Sequence, residues 1–145
     1  MTTATTAPGL EPSPPSKGLH VSLWIAQILL ALLYAPAGVM KTTQPIADLA
    51  AKLVWPGALP PALVRFIGTC ELLGAAGLIL PALTRIRPGL TPLAALGLAT
   101  VMVLAVPFHL SRGEMFALPI VVPLGVLAAF VAWGRWRKAP IRPRG

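Results

Sequence analysis

Cysteine, histidine and acid are what this chain has least of. A single cysteine, Cys70, among 145 residues excludes an internal disulfide, a paired-thiol relay and a four-cysteine metal site. Two histidines, His20 and His109, leave little for haem or zinc chemistry. Twelve basic residues face only four acidic ones, for a formal charge of +8, and charged residues of both signs make up 11% of the chain. A soluble domain usually carries about 25%. So few charges cannot wet the surface of a globule this size, which excludes a soluble monomer. What is present is apolar: 56% of residues, with a mean hydropathy of +0.78. The length fits one domain, and the solvent that suits it is lipid.

The excess of base does not point to nucleic acid. Arg135, Arg137, Lys138, Arg142 and Arg144 follow an apolar run directly, beside Trp133 and Trp136. That is the pattern of a positive-inside anchor with interface aromatics, and no nucleic-acid-binding motif accompanies it. The expected surroundings are a lipid bilayer, with no nucleic acid as partner.

Along the chain, residues 1–19 are rich in Thr, Ala, Pro and Ser and without periodicity, which reads as a disordered tail rather than a signal peptide. Four apolar spans follow, at 21–40, 62–80, 90–110 and 115–133. Twenty residues at 1.5 Å each match a hydrocarbon layer about 30 Å thick, and backbone groups in lipid require helices. Continuous rather than alternating runs exclude a β-barrel. Pro107, Pro119 and Pro123 lie inside spans and are expected to bend them. Between spans one and two, Ile46, Leu49, Ala50, Leu53 and Val54 recur at helical spacing, with Asp48 and Lys52 off that face. Pro45 suits a helix start and Trp55-Pro56-Gly57 an end. This is a short helix on the membrane surface, a connector or a lid. The fold class is therefore all-α: a polytopic membrane protein, a four-transmembrane-helix bundle with a short interfacial helix between helices 1 and 2. The transmembrane domain covers 20–134, and 135–145 form a basic tail.

Counting Lys and Arg on the two sides gives the orientation. Lys17, Arg85, Arg87 and the five C-terminal residues lie on one side, and Lys41, Lys52 and Arg112 on the other. Both termini are expected in the cytoplasm.

Span two is interrupted by Arg65 and Glu71. From Pro61, Arg65 lies about 6 Å and Glu71 about 15 Å deep, close to the midplane. Gly68, Gly74 and Ala75 share the Glu71 face and let another helix approach, so Glu71 is expected to face protein. A carboxylate at that depth costs about 2.5–3.5 kcal/mol and is a functional candidate by default. His109 ends span three about 10 Å nearer the surface. Side chains lean toward the N-terminus of their own helix, so these two are expected to lean together, by direct contact or through a ligand. In span one Gln27, Tyr34 and Lys41 are seven residues apart and share a face with Gly38, which should point into the bundle. The candidate acid–base pair is Glu71 and His109; Tyr34, Lys41, Arg65 and Gln27, with Arg112 and Glu114 at the rim, are candidate substrate-binding residues. Lys41, Arg112 and Glu114 also fit interfacial residues that snorkel to water, and Arg65 fits a neutraliser of Glu71. Imidazole and carboxyl groups are the ordinary pair for proton exchange. No metal site is expected.

The order of short stretches resembles the DoxX-like family of small four-helix membrane proteins. The matching residues are Ala37-Gly38-Val39-Met40-Lys41 with Pro45, Pro61-Ala62-Leu63-Val64-Arg65-Phe66-Ile67-Gly68, Glu71-Leu72-Leu73-Gly74-Ala75-Ala76-Gly77 with Pro81, Leu90-Thr91-Pro92-Leu93-Ala94-Ala95-Leu96-Gly97, and Phe108-His109-Leu110-Ser111-Arg112-Gly113-Glu114. The resemblance implies a four-helix bundle in a bacterial inner membrane and an association with membrane redox chemistry, quinone-linked in one branch. The lack of a cysteine pair separates the chain from quinone reductases that use paired thiols. Three functions are compatible with the residues. The first is an oxidoreductase subunit that binds a quinone or similar small lipophile, with Glu71 and His109 handling protons and a partner redox protein supplying electrons. The second is a redox-free acid–base isomerase or cyclase acting on an apolar biosynthetic intermediate. The third is a non-catalytic membrane subunit.

Overall fold

The computed structural model describes residues 16–145; residues 1–15 of the expected tail lie outside the described residues. Five α-helices follow one another: α1 (Lys17–Thr43), α2 (Ile46–Leu53), α3 (Pro61–Thr84), α4 (Leu90–Ser111) and α5 (Leu118–Trp133). Short 3₁₀ turns at Trp55–Ala58 and Met115–Ala117 lead into α3 and α5, and a wider π-type turn at Gly134–Lys138 prolongs α5. The stretches Lys17–Thr43, Pro61–Thr84, Leu90–Ser111 and Met115–Lys138 are each long and apolar enough to cross a membrane. The architecture is the expected four-helix membrane bundle with a short helix between the first two spans.

The helices begin and end where local chemistry directs. The Ser16 hydroxyl accepts the Leu19 N–H at 3.2 Å, capping α1, so residues 17–19, expected in the tail, are helical. Pro61 occupies the first turn of α3, where its missing N–H costs nothing. Pro119 lies likewise in the first turn of α5, which corrects the expectation that it interrupts a span. Pro36, Pro81, Pro107 and Pro123 are inside helices. α2 lays Leu49 on the bundle and leaves Asp48 and Lys52 exposed. Val54 was expected to extend the apolar face of α2. Instead it is exposed, with φ 66° and ψ −58°, a strained γ-turn conformation for a β-branched residue. That kink turns Trp55 back toward α1.

The long helices form a ring in which α1 packs on α3, α3 on α4, α4 on α5 and α5 on α1, the α1–α3 and α4–α5 faces being the most extensive. Inside are small residues, including Ala26, Ala75, Ala95, Ala99 and Ala128, filled out by Leu30, Leu78, Leu98 and Tyr34. Outside, Leu32, Leu73, Leu83, Val103, Leu104 and Val126 are exposed. Lipid offers no hydrophobic drive to bring helices together, so close packing of small residues does that work. Four crossings put both ends of the described chain at one end of the bundle, the termini end, and α2 at the other. The Arg144 N–H donates to the Arg85 carbonyl at 3.1 Å, holding the last residues against the α3–α4 connection.

Candidate functional site

At the α2 end the structure gathers two ionic clusters. In the first, Lys41 Nζ donates to both carboxylate oxygens of Glu71, at 2.6 and 2.7 Å. Glu71 is 2% exposed and Lys41 8%. How they meet follows from the helix geometry. Gly38 of α1 and Gly68 of α3 are in backbone contact: a Cβ on Gly38 would fall 2.8 Å from the Gly68 carbonyl oxygen. Lys41 lies three residues beyond Gly38 and Glu71 three beyond Gly68, on helices running in opposite directions. Their Cα atoms are therefore about 9 Å apart along the axis. Each side chain leans toward its own N-terminus, and so toward the other. A Cβ on Gly68 would come within 2.7 Å of the Lys41 Cβ, so the absence of a side chain there gives the lysine stem its path. Trp55 lies over the ammonium at 5.5 Å.

Arg65 does not pair with Glu71. Its Nη1 donates to the Lys41 carbonyl at 2.6 Å, satisfying one of the open carbonyls in the last turn of α1. Tyr34 stands on the same face as Lys41, 2% exposed, with a hydroxyl that has no partner among the described residues.

In the second cluster the His109 Nδ1 and the Glu114 Oε2 are 2.6 Å apart, and the Arg112 Nε donates to the Glu114 Oε1 at 2.7 Å. The turn that joins them is built by Gly113 at φ 70°. The Gly113 N–H returns to the Leu110 carbonyl and the Glu114 N–H to the His109 carbonyl, a Schellman ending that folds the carboxylate back onto the imidazole. With Glu114 ionised, the His109 Nδ1–H donates to it. Burial alone would raise the Glu114 carboxyl. The hydrogen bonds and charges of His109 and Arg112 outweigh that and hold it below the usual carboxylate range.

Two expectations are thereby corrected. Glu71 and His109 share the α2 end, but no hydrogen bond or ion pair joins them among the described residues; each has its own partner, because Lys41 reaches further inward than its place at the end of the apolar run implied. Gln27 belongs to neither cluster. It lies 14 residues from Lys41, about 21 Å along α1, at the termini end. There its Nε2 donates to the Leu78 carbonyl at 2.6 Å and its Oε1 accepts from the Arg135 Nε at 2.6 Å. Arg135 itself, expected in the basic tail, is 2% exposed. The signal for it was Gly134, whose missing side chain accommodates Leu23 and brings the end of α5 against α1.

A family model described as the DoxX-like family matches residues 25–132. The chain belongs to the DoxX-like family. No curated protein and no solved structure matches it. In this DoxX-like protein the Glu71, His109, Lys41 and Arg65 side chains all fall within the matched stretch.

The ion pair generates a stability prediction. Lys41→Met leaves Glu71 buried without its cation, which costs about 3–5 kcal/mol, read as a lowered thermal midpoint in detergent. Lys41→Met/Glu71→Leu recovers most of that loss; a double variant as unstable as the single one would show that Lys41 acts otherwise than through Glu71. The Glu114 carboxyl generates a second. Its folded-state pKa lies below the unfolded one, so its contribution is complete above the ordinary carboxylate range and fades as pH falls through it. The thermal advantage of the native chain over Glu114→Gln is constant near neutrality and shrinks with acidification; an advantage that grows as pH falls would contradict the assignment.

Proposed function

We propose that this DoxX-like membrane protein binds a small lipophile of the quinone class at the α2 end and manages the protons of its conversion. The observation that carries this reading is the Tyr34 hydroxyl, enclosed in the core without a partner. An unpaired buried hydroxyl costs about 1–3 kcal/mol, and a ligand carbonyl would repay it. Tyr34 donates to that oxygen. Glu71, released from Lys41 as the ammonium passes it a proton, and His109, oriented through Glu114, are the proton-handling groups. Reducing a quinone to a quinol takes two electrons and two protons; a partner redox protein supplies the electrons. α2, which touches α1 lightly, moves aside to admit the ligand.

A second reading, redox-free acid–base conversion of an apolar intermediate, draws on the His109–Glu114 dyad, which fixes one tautomer as in other carboxylate–imidazole pairs. The two part on one assay of the protein in lipid nanodiscs. Turnover that requires both reductant and quinone, and falls about a hundredfold in Glu71→Gln and His109→Gln, supports the first. Turnover without any electron carrier supports the second. Full activity in Lys41→Gln/Glu71→Gln rejects a chemical role for the pair and leaves it a clamp between α1 and α3, as in a non-catalytic subunit.

The unequal distribution of Lys and Arg supports a bacterial inner-membrane location with the termini end in the cytoplasm. The buried Lys41 and Arg135 drop out of the count without changing its sign. A C-terminal fluorescent-protein fusion is expected to be bright and a C-terminal alkaline-phosphatase fusion inactive; the reverse pattern inverts the orientation.

A further inference from the structure

Among the described residues, the termini end holds a buried cation with no anionic side chain beside it. Arg135 is 2% exposed, and everything its guanidinium touches is neutral. Its Nε donates to Gln27, and its Nη1 approaches the His20 Nδ1 at 3.1 Å and the Ala139 carbonyl at 3.4 Å. The Trp24 ring faces it at 5.5 Å. Its Nη2 has no partner. The His20 contact is weaker than it first looks, because the Trp24 Nε1 also donates to the His20 Nε2 at 3.2 Å. A neutral imidazole has one lone pair, so it accepts from Trp24 or from Arg135, not from both. An ion taken out of water without a counter-ion is strongly penalised. The acids among the described residues, Asp48, Glu71 and Glu114, all lie at or toward the α2 end. Around Arg135 the described residues bring only Lys17, Arg85, Arg87, Arg137, Lys138, Arg142 and Arg144 to this end.

Arg135 also lines a depression of about 290 Å³, walled by Pro88, Gly89, Pro92, Trp136 and Pro140. The N-terminus of α4 borders it. The first two N–H groups of that helix are spent on the Arg87 and Pro88 carbonyls, so α4 adds its dipole and the guanidinium is the group that binds. Trp136 continues into a second depression, of about 470 Å³, running between α4 and α5 past Leu96, Ala99, Ala129 and Trp133. A cationic recess that opens into an apolar groove fits one kind of molecule: an anionic lipid.

We propose that a phosphate-bearing anionic lipid binds at the termini end, its phosphate on Arg135 and its chain in the α4–α5 groove. A phosphate oxygen is a charged acceptor for guanidinium N–H groups, and those on the Arg135 Nη2 are unspent. The site is at the opposite end from Glu71 and stands whether or not the Tyr34 region takes a quinone.

Native mass spectrometry of the full chain, delipidated in neutral detergent, tests this with phosphatidylglycerol, phosphatidylcholine and inorganic phosphate. The expected result is one phosphatidylglycerol retained per chain, about tenfold more tightly than phosphatidylcholine, and not displaced by millimolar inorganic phosphate. Ala129→Phe fills the exposed groove without touching Arg135 and weakens retention by about the same factor, with the thermal midpoint unchanged. Arg135→Gln removes the preference for the anionic headgroup; should that variant fail to fold, Ala129→Phe decides. Equal retention of both lipids, or retention unaffected by Ala129→Phe, overturns the proposal. Displacement by inorganic phosphate also overturns it, by making the site one for free phosphate.

Discussion

Two opposite charges placed about 9 Å apart along antiparallel helices, and joined across that gap by their own side chains, govern the arrangement of the α2 end. The Lys41–Glu71 contact needs α1 and α3 to approach closely, which Gly38 and Gly68 permit, and it needs both side chains to lean the right way, which the antiparallel crossing provides. A slip of one turn, about 5.4 Å, would separate the charges and leave each in a medium that does not solvate it. Buried pairs are weak contributors to net stability compared with apolar replacements. The effect of this one is to specify register. Arg65 adds to it by holding the last turn of α1 in place, and Trp55, swung inward by the strained Val54, covers the ammonium.

The number and order of the spans, the short helix between the first two and the inward face of Glu71 could be read directly from residue patterns, because in lipid the permissible patterns are few. The stripe of Gln27, Tyr34 and Lys41 was legible for the same reason, and all three are buried. Which partner each would find was not. Periodicity fixes direction around a helix but not reach, and the Lys41 side chain leans back toward its own N-terminus, past Gly68, onto Glu71. His109 was expected to face Glu71 because the two side chains lean toward each other's depth. Gly113, one residue past the helix cap, held the information that Glu114 folds back. Arg135 was hidden differently. In a run of bases, counting treats every member alike, and only packing distinguishes the one that enters the core from those that remain in water.

The ends of the bundle solve the same electrostatic problem in different ways. At the α2 end the buried Lys41 has a carboxylate, the half-buried Arg65 a helix carbonyl, and the more exposed Arg112 a second carboxylate. At the termini end Arg135 has only dipoles and rings, and Gln27 passes its hydrogen bond on to the Leu78 carbonyl, tying α5 through α1 to α3. That chain of neutral groups orients the guanidinium but does not discharge it. Carboxylates at the α2 end are too far away to help, given the length of the helices. Among the described residues no acid supplies the counter-charge, and an anionic lipid headgroup is the occupant proposed for it. Among the described residues the acids lie at or toward the α2 end, Glu71 paired with Lys41 and Glu114 with Arg112, and none lies beside Arg135.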